Sequence, residues 1–197
     1  MVKQERAART RQALIRAGAE VFAQEGFARA SLTTISRQAG VSNGALHFHF
    51  PNKQALTQAV MAQALDTVRQ IVRDAGARDV GPLQTLVEGT HRLMDRIGHD
   101  VVVRAGFGLS DDPLGGREPV LRLEWQRWVE HVLRQAEEDG HLGEGVSAGD
   151  AVVAVVAATV GLEVLGGTDR AWLSPETVTR LWDVLLPRLT GHGRDVS

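Results

Sequence analysis

Between residues 31 and 51 the chain is punctuated too densely for anything but two short helices. Ser31 is a helix N-cap, Gly40 a stop, Ser42 a second N-cap and Pro51 a second stop. A serine oxygen accepts from the free N–H groups of a first turn. Glycine takes the left-handed conformation that ends a helix, and proline pushes its predecessor out of helical geometry. The first helix turns Leu32, Ile35 and Ala39 inward, and the second runs from Asn43 to about His49. Joined through Gly40-Val41, they read as a helix-turn-helix. In that motif the second helix enters the major groove of DNA and the first crosses the backbone. On spacing alone, a glycine-interrupted corner in an all-helical core accounts for the pattern equally well.

Residues 46–50, LHFHF, carry two competing signals. They alternate like a half-buried strand, and His47-x-His49 looks like a metal pair. The caps settle the first, because five alternating residues inside a bracketed two-turn helix are no strand. Helix geometry weakens the second, since positions two apart point about 200° apart. A metal-dependent hydrolase would also need a third ligand and an acid, and His91, His99, His131 and His141 are scattered. Ala45, Phe48 and Phe50 are expected to face the small core, His47 the DNA, and His49 to pack at the helix end.

The rest of the chain is helical in pattern. A first helix over residues 6–24 carries Leu14, Ile15, Gly18, Ala19, Val21 and Phe22 on one side, with Gly26 placed to stop it. A long fourth helix over 53–73 has a stripe of Leu56, Val60, Ala64, Val68 and Ile71. Further helices are expected over 83–97, 120–138, 151–165 and 176–189, with a short apolar segment at 101–109. Residues 110–119, SDDPLGGREP, read as the clearest loop. The expected fold class is all-α, with about nine helices. A helix-turn-helix DNA-binding domain over 1–53 precedes a helical ligand-binding and dimerisation domain over 54–197.

Charge separates the two parts. Residues 1–53 hold eight Lys/Arg and three acids, a net +5, which leaves −7 for the remainder of a chain at −2 overall. A basic end on an acidic body suits contact with a polyanion. There is no cysteine, so disulfides and thiol chemistry are excluded. The longest apolar run, residues 151–162, has 12 residues, short of the roughly 20 that span a bilayer. No signal segment opens the chain, so a cytoplasmic location with no membrane partner is expected.

The DNA-facing candidates follow from position. Ser42, Asn43, Gly44 and Ala45 sit at the front of the second helix, where N–H groups and small or polar side chains approach phosphates and base edges. His47 lies one turn on. Thr33 and Thr34 add hydroxyls, and Lys53, Arg9 and Arg11 add cations.

The run LTTISRQAGVSNGALHFHFPNKQAL, residues 32–56, resembles the signature of the TetR family of bacterial transcriptional regulators. Ala19-Glu20-Val21-Phe22 and Glu25-Gly26-Phe27 fit as well. His47 stands where many members carry tyrosine and Asn43 where lysine is frequent, so the operator sequence does not carry over. Residues 45–50, Val103-Arg104-Ala105-Gly106, Glu124-Trp125, Val160-Gly161 and Gly166-Gly167-Thr168 look like the γ-butyrolactone autoregulator receptors of actinomycetes. That resemblance implies a homodimeric repressor on a palindromic operator, released by a small lactone and acting on antibiotic and differentiation genes. It also implies a four-helix dimer interface from the apolar helix and the last helix. The branch includes pseudo-receptors with altered ligand preference, so another hydrophobic ligand, such as an antibiotic, stands as the alternative.

The body shows no catalytic spacing, no phosphate loop and no nucleophile elbow, so neither enzyme nor cofactor is expected. Trp125, Trp128, Phe107, Thr159 and Val160 are the candidate lining of a small-molecule pocket, with Trp125 as a flat wall and indole N–H donor. Core packing explains the tryptophans too, and Thr159 fits a bond to its own helix. Glu163, isolated in an apolar helix, is expected at a helix edge or paired with arginine. A helical protein-interaction module is the remaining competitor, and salt dependence separates it from DNA binding.

Overall fold

The computed structural model describes residues 2–110 and 119–191. Within them lie nine α-helices, one short 3₁₀ turn and no strand. The helices are α1 (Val2–Arg29), α2 (Leu32–Gln38), α3 (Asn43–His49), α4 (Lys53–Gly76), α5 (Pro82–His99), α6 (Val101–Ser110), α7 (Val120–Glu138), α8 (Ala148–Gly166) and α9 (Pro175–Leu189). The 3₁₀ turn is Arg170–Leu173. Most of the expected loop at 110–119 lies outside the described residues.

Local chemistry sets the boundaries. The Ser31 oxygen accepts from Thr34 N–H at 3.1 Å, and the Ser42 oxygen accepts from Ala45 N–H at 3.1 Å. Asn52, Ser147 and Ser174 do the same for α4, α8 and α9. Gly40 makes the α2–α3 turn at φ 68°, a left-handed conformation that a Cβ would strain. Gly26 interrupts α1 without ending it. At φ 76° and ψ 163° it breaks the helix, and a further stretch carries it on to Arg29.

Two compact units result, residues 1–67 with 100–121, and 68–99 with 122–197. In the first, α1 packs on α2 and α6, and α2 on α3. Its core joins Leu14, Ile15, Val21 and Phe22 of α1, Ile35, Leu46 and Phe50 around α2 and α3, Leu56 and Val60 of α4, and Val102, Ala105 and Leu109 of α6. A three-helix unit of some 50 residues rarely buries enough core alone. Here α4 and α6 complete it. Packing therefore groups the chain differently from the expected boundary at residue 53.

In the second unit α5 packs against α8 and α9, and the 3₁₀ turn lies against all three. Hydrogen bonds from Arg78 and Gln84 hold the Glu88 carboxyl on α5 below its ordinary range. Helix α8 is longer than its uncharged run, because it starts at the Ser147 cap and continues through Glu163 to Gly166. At 19 residues it is long and apolar enough to cross a membrane, which corrects the argument from a 12-residue run. One of its faces is buried: Ala151, Val155, Thr159, Leu162, Glu163 and Gly166 fall there at spacings of one to four residues.

Candidate nucleic-acid interface and ligand site

Helix α3 divides cleanly into an inner and an outer face. Leu46 and, just past the helix, Phe50 are buried four residues apart and anchor it to the first unit's core. Asn43, Gly44, His47 and Phe48 are exposed, Ser42 is exposed at the cap, and Ala45 is half-buried. Phe48 is 82% exposed, which corrects its expected place in the core. The reason is register. Once Leu46 and Phe50 define the inner stripe, the residue midway between them points about 200° from each. His49, half-buried, packs between the Phe48 and Phe50 rings at centroid distances of 5.2 and 6.5 Å.

The neighbours of α3 hold it in place. The Ser36 hydroxyl donates to Asn43 Oδ1 at 2.5 Å, which ties the front of α3 to α2. Asn43 keeps its NH₂ end as a donor. Thr33 is exposed, while the half-buried Thr34 shares a hydrogen bond with the Ser31 hydroxyl at 2.9 Å. Arg9 and Arg11 are exposed on α1, and the Arg11 guanidinium lies 5.2 Å from the Phe50 ring centre.

Lys53 has a different occupation from the phosphate contact its position suggests. Its ammonium donates to the carbonyl oxygens of Phe27 (2.7 Å), Ala28 (3.2 Å) and Ala30 (2.9 Å), and it sits 4.5 Å from the Phe27 ring centre. Three protons meet three carbonyls near the end of α1, where helical partners run out. Lys53 thus clasps the end of α1 to the start of α4.

In the second unit Trp125 is 2% exposed on α7. Its indole N–H donates to Thr159 Oγ1 at 3.0 Å, and that hydroxyl donates to the Val155 carbonyl at 2.8 Å. Thr159 bonds its own helix as expected and takes up the Trp125 donor as well. The Trp125 and Trp128 rings lie 4.8 Å apart, tilted by 41°. Trp128 packs on Gly89 of α5 so closely that a Cβ there would come within 2.2 Å of it. Val160 is half-buried beside Thr159. Phe107, the remaining lining candidate, is buried in the first unit. Glu163 has the partner its setting demands: Arg122 Nε and Nη2 both reach its Oε2 at 2.8 Å. Among the described residues, no three His, Asp or Glu side chains group to hold a metal ion.

The chain is similar to known proteins. Residues 14–60 match the family of bacterial regulatory proteins known as tetR. The A-factor receptor protein of Streptomyces griseus is 33% identical over 200 residues, spanning 98% of this chain and 68% of that protein. The chain belongs to the TetR family of bacterial transcriptional regulators. CprB of Streptomyces coelicolor, solved in complex with its biological operator sequence, superposes with a TM-score of 0.78 at 27% identity, over 91% of this chain and 88% of that one. A γ-butyrolactone receptor described as ArpA-like gives a TM-score of 0.73 at 26% identity, over 95% and 99%.

As a TetR-family regulator the chain is a DNA-binding protein and not an enzyme. Two of its features escape a reading of the sequence. One is Phe48, whose outward position is in principle available from the four-residue spacing of Leu46 and Phe50. The other is Trp182 of α9, whose indole N–H is buried with no partner among the described residues. Its place on the apolar stripe of the last helix gives no sign of that, because a hydrogen-bond partner is set by distant elements.

Proposed function

We propose that the chain is a ligand-responsive transcriptional repressor. It binds a palindromic double-stranded operator as a homodimer and is released by a small lactone-like signalling molecule of the γ-butyrolactone class. The observation that carries this reading is the outer face of α3, exposed and capped on a basic unit, in a chain similar along its whole length to a receptor for A-factor. Ser42, Asn43, Gly44, Ala45 and His47 meet the groove, while Thr33, Thr34, Arg9 and Arg11 meet the backbone. The regulator works in the cytoplasm, where its operator is, and its regulated genes include antibiotic biosynthesis.

Dimerisation is supported by apolar surface left open on α8 and α9. Val153 is 69% exposed and Val184 68%, with Val164 and Leu165 also exposed. Val153, Ala157, Gly161 and Val164 fall at spacings of four, four and three, one helix face. Two copies covering these faces form a four-helix interface and set the spacing of two α3 helices on two half-sites.

The ligand binds the second unit, against Trp125, Trp128, Thr159 and Val160. Release requires that ligand prefer a dimer whose α3 helices are wrongly spaced for the operator. Mobility shift on operator DNA, with and without butyrolactones, tests this. Unchanged DNA affinity at saturating, independently verified ligand binding contradicts it. The Trp125–Thr159 bond favours a second reading, in which another hydrophobic ligand such as an antibiotic is the inducer. With its N–H engaged, Trp125 offers a wall more readily than a donor to a lactone carbonyl. Quenching of tryptophan fluorescence across a panel of lactones and antibiotics separates the two.

A further inference from the structure

We propose that Phe48 reads thymine methyl groups in the operator. An exposed apolar side chain is ordinary on a protein surface, but this one lies on the outer face of α3. Gly44, four residues earlier, shares that face within about 40°. Apart from the adjoining residues and the helix's own backbone, the nearest atom to a Cβ placed on Gly44 would be Ser42 Oγ at 3.9 Å, so the space in front of it is open. The outer face therefore presents a flat apolar ring beside a notch at backbone level. His49 meets the Phe48 ring at an interplanar angle of 84° and supports it from the side.

The charge around this face selects the occupant. Neither α2 nor α3 contains an acidic residue, and Arg9, Arg11 and Arg37 stand exposed within a block of net +5. Such a surface fits duplex DNA better than an apolar partner protein. In the major groove the thymine C5-methyl is the apolar group on base edges that an aromatic ring can cover. Phe48 would thus add a preference for thymine to the hydrogen bonds of Asn43 and His47, at the base pair that the Gly44 notch lets the helix approach.

This rests on the DNA-binding reading of α3, and the test separates the two. DNA selected by the full-length protein from a random pool supplies the operator. Each thymine of a half-site, with its symmetry mate, is then replaced by deoxyuridine, which lacks only the methyl. Native protein is expected to lose about four-fold in affinity per covered methyl at one or two positions, from the transfer value of a single buried carbon. Phe48→Ala is expected to bind thymine and deoxyuridine operators equally at those positions, and Phe48→Leu to keep part of the difference. If Phe48→Ala binds weakly, the comparison is made at lower salt, where attraction to the phosphates strengthens binding. A native protein indifferent to deoxyuridine everywhere, or a penalty unchanged in Phe48→Ala, overturns the proposal while DNA binding stands. So does an unchanged penalty accompanied by loss of self-association, which assigns the ring to a protein interface. Failure to enrich any DNA sequence removes both readings.

Discussion

The two units differ in where their characteristic polar contacts lie. Around α3 in the first, they are mostly local and outward: Ser31 and Ser42 cap helices three residues away, and the outer face of α3 is open to solvent, with Lys53 the long-range exception. In the second, the contacts between α7 and α8 are distant and turned inward. Trp125 reaches Thr159, 34 residues on, and Arg122 reaches Glu163, 41 residues on. A surface that must meet a rigid polyanion has only to be held in shape. Polar groups turned inward, as in the second unit, must each find a partner there.

The contrast is sharpest at the Arg122–Glu163 pair. Glu163→Ala removes a charged hydrogen-bond acceptor from the half-buried Arg122 guanidinium and is expected to cost about 1.5–3 kcal/mol. Urea unfolding measures it. Replacing both partners, Arg122→Met with Glu163→Leu, should recover most of that loss, since apolar pairs of similar size replace buried ion pairs well. If the single variant costs no more than an exposed substitution in the first unit, the distinction between the units fails. Gly89→Ala is next. Its methyl would overlap Trp128, and pushing that ring off α5 is expected to cost about 1–3 kcal/mol, with a change in tryptophan emission.

The two tryptophans test the same contrast within one unit. Trp125→Phe should cost about 1 kcal/mol more than Trp182→Phe, because only the first breaks a hydrogen bond. Equal losses in thermal unfolding would show that the Thr159 bond adds nothing. In the first unit Ser42→Ala is expected to cost about 1 kcal/mol through removal of the cap, and to weaken DNA binding with it. Arg9→Gln should change stability by less than about 0.5 kcal/mol. Its effect belongs to the salt dependence of DNA binding, whose logarithmic slope should fall by about 0.9 for each phosphate that is no longer neutralised.

The same contrast decides what the sequence makes legible. Helix boundaries and caps are local, so Ser31, Gly40 and Ser42 mark α2 and α3 without reference to any tertiary neighbour. The stripe of α4, Leu56, Val60, Ala64, Val68 and Ile71, is buried throughout as its spacing implies. Phe48 is misplaced when composition outweighs register: an aromatic residue among aromatics reads as inward although Leu46 and Phe50 already fill the inner stripe. Lys53 reads as a free cation until the end of α1 folds back to meet it. The partners of Trp125 and the isolation of Trp182 depend on how α7, α8 and α9 come together, and no spacing within one helix encodes that.

The basic segment 1–53 is proposed to read DNA through α3. Selection of bound sequences from a random duplex pool by the purified full-length protein tests it most directly, followed by affinity measurements over a range of salt. A two-fold symmetric site is expected, with half-sites bound with a steep salt dependence and recognition lost when Asn43 and His47 are both replaced by alanine. No enriched sequence, or an enriched site bound equally well by that double variant, would contradict it.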